Sequence, residues 1–255
     1  MRRREKFVIS SILLSLGLAG VQYVALDYRY WAVAVFTVIS YLFSAWALSD
    51  DLQKHEWLTV IPLPALYASA VSLFYFLLPS NGMTRITLLV FFGIGMYALY
   101  LTSNIFSVAK GRTIQLLHAA HAIGLLFSLL ISMLFLNTIF SLKLIFWLNG
   151  LLVGLSHFPL IFLSLWSVKL EPRVTSQTTI LSVIMTILLV ELGVIFSFYP
   201  FSVWHSTLFI MSFLYIGLGL LHSHLRGRLF ANTLTEYSLV AVFVSLVFLL
   251  LFPGK

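Results

Sequence analysis

The chain contains no cysteine among its 255 residues. That excludes disulfides, thiolate metal centres and cysteine nucleophiles, and it leaves the redox compartment unreadable. Charge is almost as scarce. Only 9% of the residues are Asp, Glu, Lys or Arg, against about 25% in an ordinary soluble domain. A soluble fold with so little charge would have no surface suited to water. No Asn-x-Ser/Thr sequon occurs, because Asn81, Asn104, Asn137, Asn149 and Asn232 all fail at the third position. This is compatible with a prokaryotic source. There is no Walker phosphate-binding loop and no His-Glu-x-x-His zinc-protease motif. "GLSH" at 154–157 only gestures at a rhomboid-type Gly-x-Ser-Gly, without a matched histidine. No lysine lies inside a late apolar run to hold retinal, since Lys143 and Lys169 fall at the ends of runs.

What fills the chain is apolar. Hydrophobic residues make up 61% and mean hydropathy is +1.05. A membrane-crossing helix needs about 20 apolar residues. Runs bounded by charge, proline and turn clusters lie at 7–26, 31–48, 57–78, 86–107, 114–135, 144–166, 179–199, 203–221 and 238–252. The expected fold is therefore all-α: one polytopic transmembrane helical domain over 1–255 with about nine spans.

Lysine and arginine set the expected orientation. With the N-terminus in the cytoplasm, 11 basic residues fall inside: Arg2, Arg3, Arg4, Lys6, Lys54, Lys110, Arg112, Lys169, Arg173, Arg226 and Arg228. Arg29, Arg85, Lys143 and Lys255 fall outside, which completes the 15. The bias holds at every loop, so the C-terminus is expected outside. The net charge of +7 belongs to helix ends, and nucleic acid is not an expected partner. All six tryptophans (31, 46, 57, 147, 166 and 204) lie near span ends, where amphipathic rings favour the headgroup region. The opening "MRRREKFVISSILLSLGLAG" also has the basic start and short apolar core of a signal peptide. The apolar run continues through Leu26 without a clean cleavage site. Cleavage would leave eight spans in the same orientation.

Spans starting near 31, 86, 144 and 203 run in the same direction, and three of them carry central glycines. Tandem hairpins would give that pattern, and so would the ordinary spacing of a tightly looped bundle with glycines at helix contacts.

Ionisable groups inside spans are functional candidates by default. Here they are Glu191, His118, His121 and His157. His205 and His222 lie near span ends, and His55 and His224 in loops, where water satisfies them. At 100° per residue His118 and His121 are 60° apart. Gly111, Gln115, Ala122, Ser128 and Ser132 share their side, opposite Leu116, Ala120, Ile123, Phe127, Leu130 and Leu134. The sixth span repeats the theme with Gly150, Gly154, His157 and Ser164 on one face and Asn149 at its edge. "GLLVG" is a G-x-x-x-G close-packing signature. His118, His121 and His157 are expected at similar depth, with Ser103 and Asn104 of the fourth span nearby.

Three neutral imidazoles suit a transition metal, and two from different helices suit haem. A buried polar cluster that pins helix packing, or a solute or ion path, uses the same residues. Packing is the favoured reading, and no cofactor is expected. Glu191 in "LLVELGVIF" stands alone near mid-bilayer, with no basic residue at its depth. It serves either as a proton or cation site or as a neutral acid bonded to a neighbouring helix. "LHSHLRGR" at 221–228 is a juxtamembrane basic run, of a kind that touches anionic lipid or simply marks the inner face.

"RTIQLLHAAHAIG", "FWLNGLL" and "FP" at 158–159 resemble segments of an uncharacterised family of polytopic membrane proteins from candidate-phylum bacteria. The similarity runs over most of the chain from about residue 86. It implies a multi-pass protein of a bacterial inner membrane and assigns no activity. It further implies that histidine is not obligatory at the position of His118.

Three function classes follow. The leading one is a non-enzymatic scaffold or subunit of a membrane assembly, with the bilayer and other membrane subunits as partners. The second is a transporter or channel for an ion or small solute, using Glu191 and the histidine stripe. The third is a haem- or metal-binding redox protein.

Overall fold

A computed structural model describes residues 3–50, 52–53, 56–79, 81–109, 114–171 and 174–250. Helix makes up 86% of it, and no strand occurs among the described residues. The helices are α1 (Arg3–Val21), α2 (Arg29–Leu48), α3 (Glu56–Thr59), α4 (Pro62–Tyr75), α5 (Gly82–Val108), α6 (Ile114–Ser141), α7 (Phe146–Lys169), α8 (Ser176–Phe198), α9 (Val203–Leu225) and α10 (Ala231–Leu250). A single 3-10 turn at Leu26–Tyr28 precedes α2.

Among the described residues, eight helical segments are long and apolar enough to cross a membrane: α2, the α3–α4 pair, and α5 to α10. The chain thus has the architecture of a multi-pass membrane protein. α1 stands outside that set because its first turn carries Arg3, Arg4, Glu5 and Lys6, leaving a short apolar run. Of the basic residues used for orientation, Arg2, Lys54, Lys110, Arg112, Arg173 and Lys255 lie outside the described residues.

Several boundaries differ from expectation for local reasons. The run at 57–78 is broken into α3 and α4, because Pro62 and Pro64 open the second piece and neither can donate an N–H to the turn before it. α6 continues to Ser141 and α9 to Leu225. α10 begins at Ala231, seven residues before the apolar run at 238. Polar residues such as Asn137 and Thr235 lower hydropathy without breaking a helix. Backbone chemistry does end helices. Tyr199 before Pro200 is extended (φ −104°, ψ 141°) and stops α8. Leu170 at φ 50° caps α7, and Gly227 at φ +66° follows α9.

The helices group into two compact units, 1–127 and 128–255. In the first, α1 packs on α2 and α5, and α4 on α2 and α5. Its core is aromatic. Tyr67 stacks on Phe92 with ring centroids 5.5 Å apart and meets Phe127 edge-on at 5.5 Å. Phe7 lies 5.9 Å from Tyr100, whose hydroxyl is 3.3 Å from Ser44 Oγ.

In the second unit α7 packs along α8, and α9 touches both. α10 lies on α9 through Tyr237 against Tyr215 and Phe248 against Phe209, yet none of its residues is buried. Lipid tails are as apolar as leucine, so close packing and hydrogen bonds must hold such helices together. The hydroxyls inside helices are mostly satisfied locally. Ser44, Ser72, Thr102, Thr138, Ser182 and Ser197 donate to the carbonyl four residues back at 2.6–2.9 Å.

Five of the six tryptophans are exposed at helix ends, as a headgroup belt requires. Trp166 is the exception, at 3% exposure. Its indole N–H donates to the Glu171 carbonyl at 3.1 Å, so it closes the turn after α7.

Candidate functional site

The best-defined polar site within a span is built on His157, halfway along α7. The side chain is completely buried. Nδ1 is 2.9 Å from the Val153 carbonyl and 2.9 Å from Ser156 Oγ, and Nε2 is 2.8 Å from Ser132 Oγ on α6. A carbonyl only accepts, so Nδ1 carries the hydrogen. Nε2 then accepts from the Ser132 hydroxyl. Both ring nitrogens are engaged, and binding a metal would require breaking the bond to Ser132.

Gly150 and Gly154 bring α7 against α8. A Cβ on Gly150 would lie 2.7 Å from Val194 Cγ2, and one on Gly154 would lie 3.0 Å from Val190 Cγ2. From the other side, a Cβ on Gly193 would lie 3.1 Å from Val153. The two backbones approach because glycines on each helix face valines on the other.

Glu191 sits on the exposed face of α8, away from the buried residues of that helix. It is exposed, in a stripe with Ile184, Ile187, Leu188 and Ile195. Seven helical residues follow it, so it lies about 10 Å along the axis from the C-terminal end. No hydrogen bond or ion pair to Glu191 forms among the described residues.

His118, His121 and Asn104 belong to the first unit. His118 is exposed, and Asn104 is half-buried on α5. His121 is half-buried, its ring 5.5 Å from Phe106. The side chain of Gln115 lies outside the described residues. The polar stripe drawn along α6 is not a uniform surface: Ser128 and Ser132 are buried, whereas His118 and Ala122 are exposed. On the apolar side opposite, Ala120, Phe127 and Leu134 are buried, whereas Leu116 and Ile123 are exposed. A helical-wheel phase assumes one environment along a helix, and the surroundings of α6 change along its 28 residues. Among the described residues, no group of three His, Cys, Asp or Glu side chains is placed to hold a metal ion.

Two polar residues matter more than their sequence positions suggested. His222 is not water-satisfied at a span end. It is buried, with Nε2 3.0 Å from Ser164 Oγ on α7. Asn149 is 3% exposed and ties the start of α7 to α8, its Nδ2 donating to Ser197 Oγ at 2.9 Å. The signal for both was periodicity. His222 lies four residues before Arg226, inside the continued helix, and Asn149 borders the glycine face. His224 also belongs to α9 but stays exposed.

Outside the spans, the Lys6 ammonium bonds Asp50 at 2.7 Å. That hydrogen bond holds the Asp50 carboxyl below its ordinary range. In the basic run after α9, partial burial and the charge of Arg228 lower the pKa of Arg226.

Comparison of the chain with protein-family models, curated proteins and solved structures finds no match.

Proposed function

We propose that this protein is a non-enzymatic subunit or scaffold of a larger assembly in a bacterial cytoplasmic membrane. In this reading α1 serves as a ninth span, the N-terminus is cytoplasmic and the C-terminus lies outside. The basic-residue pattern supports that orientation.

The observation that carries the proposal is the placement of Glu191. A carboxyl on an exposed apolar face of a spanning helix is costly in hydrocarbon unless a donor meets it. The chain's own described residues supply none, so the donor belongs to a neighbouring membrane helix. α10, with no buried residue, offers a second long apolar face for such contacts. A path lined by the histidines and Glu191 draws less support, because His157 is fully engaged with Ser132 and Glu191 lies on the exposed face of α8.

The test is the particle size of tagged protein solubilised from its source membranes in mild detergent. The wild type should run well above its own 28.8 kDa. Glu191→Leu should run as the lone chain, while Glu191→Gln, which still hydrogen-bonds, should keep part of the complex. A wild type that is already a lone chain would overturn the proposal.

A further inference from the structure

A cavity of about 370 Å³ opens at one end of the second unit, where the α6–α7 and α8–α9 connections meet. Lys143, Asn149, Ser197, Tyr199, Phe201 and Ser206 are among its lining residues. Such connections between spanning helices lie at headgroup level.

Three observations define what it would take. The first is an orphan acceptor. Asn149 Nδ2 donates to the Leu144 carbonyl at 3.2 Å and to Ser197 Oγ at 2.9 Å. Ser197 in turn donates to the Gly193 carbonyl at 2.7 Å. This chain fixes the amide orientation, since the flipped amide would set two oxygens against each other. Oδ1 is therefore the remaining atom, and it is buried without a partner. A buried acceptor calls for a donor.

The second observation is positive charge. Lys143 stands in the turn at φ 49° with its side chain exposed, and no ion pair to it forms among the described residues. The helices α7 and α9 both begin at this rim, at Phe146 and Val203, and their positive ends favour an anion. No acidic residue lies between 128 and 170 to compete for the lysine. The third is aromatic: Tyr199 and Phe201 are among the residues lining the same space, and aromatic rings suit a cation.

We propose that this cavity binds a zwitterion, a phosphoethanolamine group, with its phosphate at Lys143 and its primary ammonium donating to Asn149 Oδ1. A phosphatidylethanolamine headgroup and free phosphoethanolamine share this chemistry. Choline does not, because its quaternary nitrogen has no N–H to give Asn149.

The experiment uses the full-length protein in detergent, titrated in native mass spectrometry with phosphatidylethanolamine or with phosphatidylcholine of the same acyl chains. A parallel arm measures the thermal midpoint with free phosphoethanolamine. The ethanolamine lipid should bind about tenfold tighter, as expected for a charge-assisted hydrogen bond to a buried acceptor. Asn149→Leu should erase that preference. Lys143→Asn, which tolerates the left-handed backbone, should weaken binding of both lipids without harming the fold. Stabilisation by free phosphoethanolamine that Lys143→Asn abolishes, with no lipid preference, supports the site with a soluble ligand. Equal affinity for the two lipids with no response to the free compound overturns the proposal, as does an ethanolamine preference that persists unchanged in both variants.

Discussion

Removing the Ser132 hydroxyl tests whether His157 is a packing element. In Ser132→Ala, Nε2 of a completely buried imidazole loses its one donor at 2.8 Å. An orphaned buried group costs about 1–3 kcal/mol in general. Hydrogen bonds between spanning helices average about 0.6 kcal/mol and reach about 1.7. The fully buried pair here belongs above the average of that second range, so the expected loss is about 1 kcal/mol, roughly a fivefold change in the folded-to-unfolded ratio. His157→Leu should cost less. It keeps most of the side-chain volume, and the freed Ser132 hydroxyl can turn to the carbonyl of Ser128, as Ser44, Ser72 and Ser182 already do to theirs. Once His157 is leucine, Ser132→Ala should be almost neutral. The double variant should therefore cost clearly less than the two single losses added together. Equilibrium unfolding in mixed micelles, followed by circular dichroism, measures all four proteins. Single effects that simply add, to within about 0.3 kcal/mol, would refute the coupling and with it the packing role of this pair.

Two further outcomes follow from contacts already described. Gly150→Val should lower stability by about 1–3 kcal/mol through overpacking, because its Cβ would sit 2.7 Å from Val194 Cγ2. Adding Val194→Ala should recover most of the loss, and Gly20→Ala, with nothing within 4 Å of the new carbon, should lose nothing comparable. The Lys6–Asp50 pair predicts a pH effect. Asp50 is held below its ordinary range in the folded protein, so its contribution is present above the usual aspartate value and disappears as pH falls through the lowered one. Thermal midpoints of wild type and Lys6→Gln should converge on acidification in that window. A constant gap down to strongly acidic pH would show that Lys6 acts by some other route.

Much of the architecture was legible because hydropathy measures the solvent a helix requires. Low charge and long apolar runs demand a bilayer, and a bilayer demands helices or a closed barrel. The runs at 86–107, 144–166 and 179–199 all appear as helices near those limits. The ends were less legible, since α10 keeps its polar first turns helical and Pro62 and Pro64 break an otherwise continuous run. Polar sites were the least legible. Glycines 150 and 154 announced a close contact by spacing, but their valine partners on α8 have no sequence signature. "LLHAAHAIGLL" drew attention to His118 and His121, one exposed and one half-buried. The fully enclosed histidine is His157, whose partner lies 25 residues away.

Composition and charge by themselves determined that this chain is a bundle of apolar helices built for a membrane. They work locally: each residue contributes its transfer free energy and its backbone preference wherever it stands. Tertiary structure alone decided which polar groups are enclosed and which face outward, because that depends on what each helix face meets. It enclosed His157 with Ser132, His222 with Ser164 and Asn149 with Ser197. It left Glu191 on an exposed apolar face of α8, with no hydrogen bond or ion pair among the described residues.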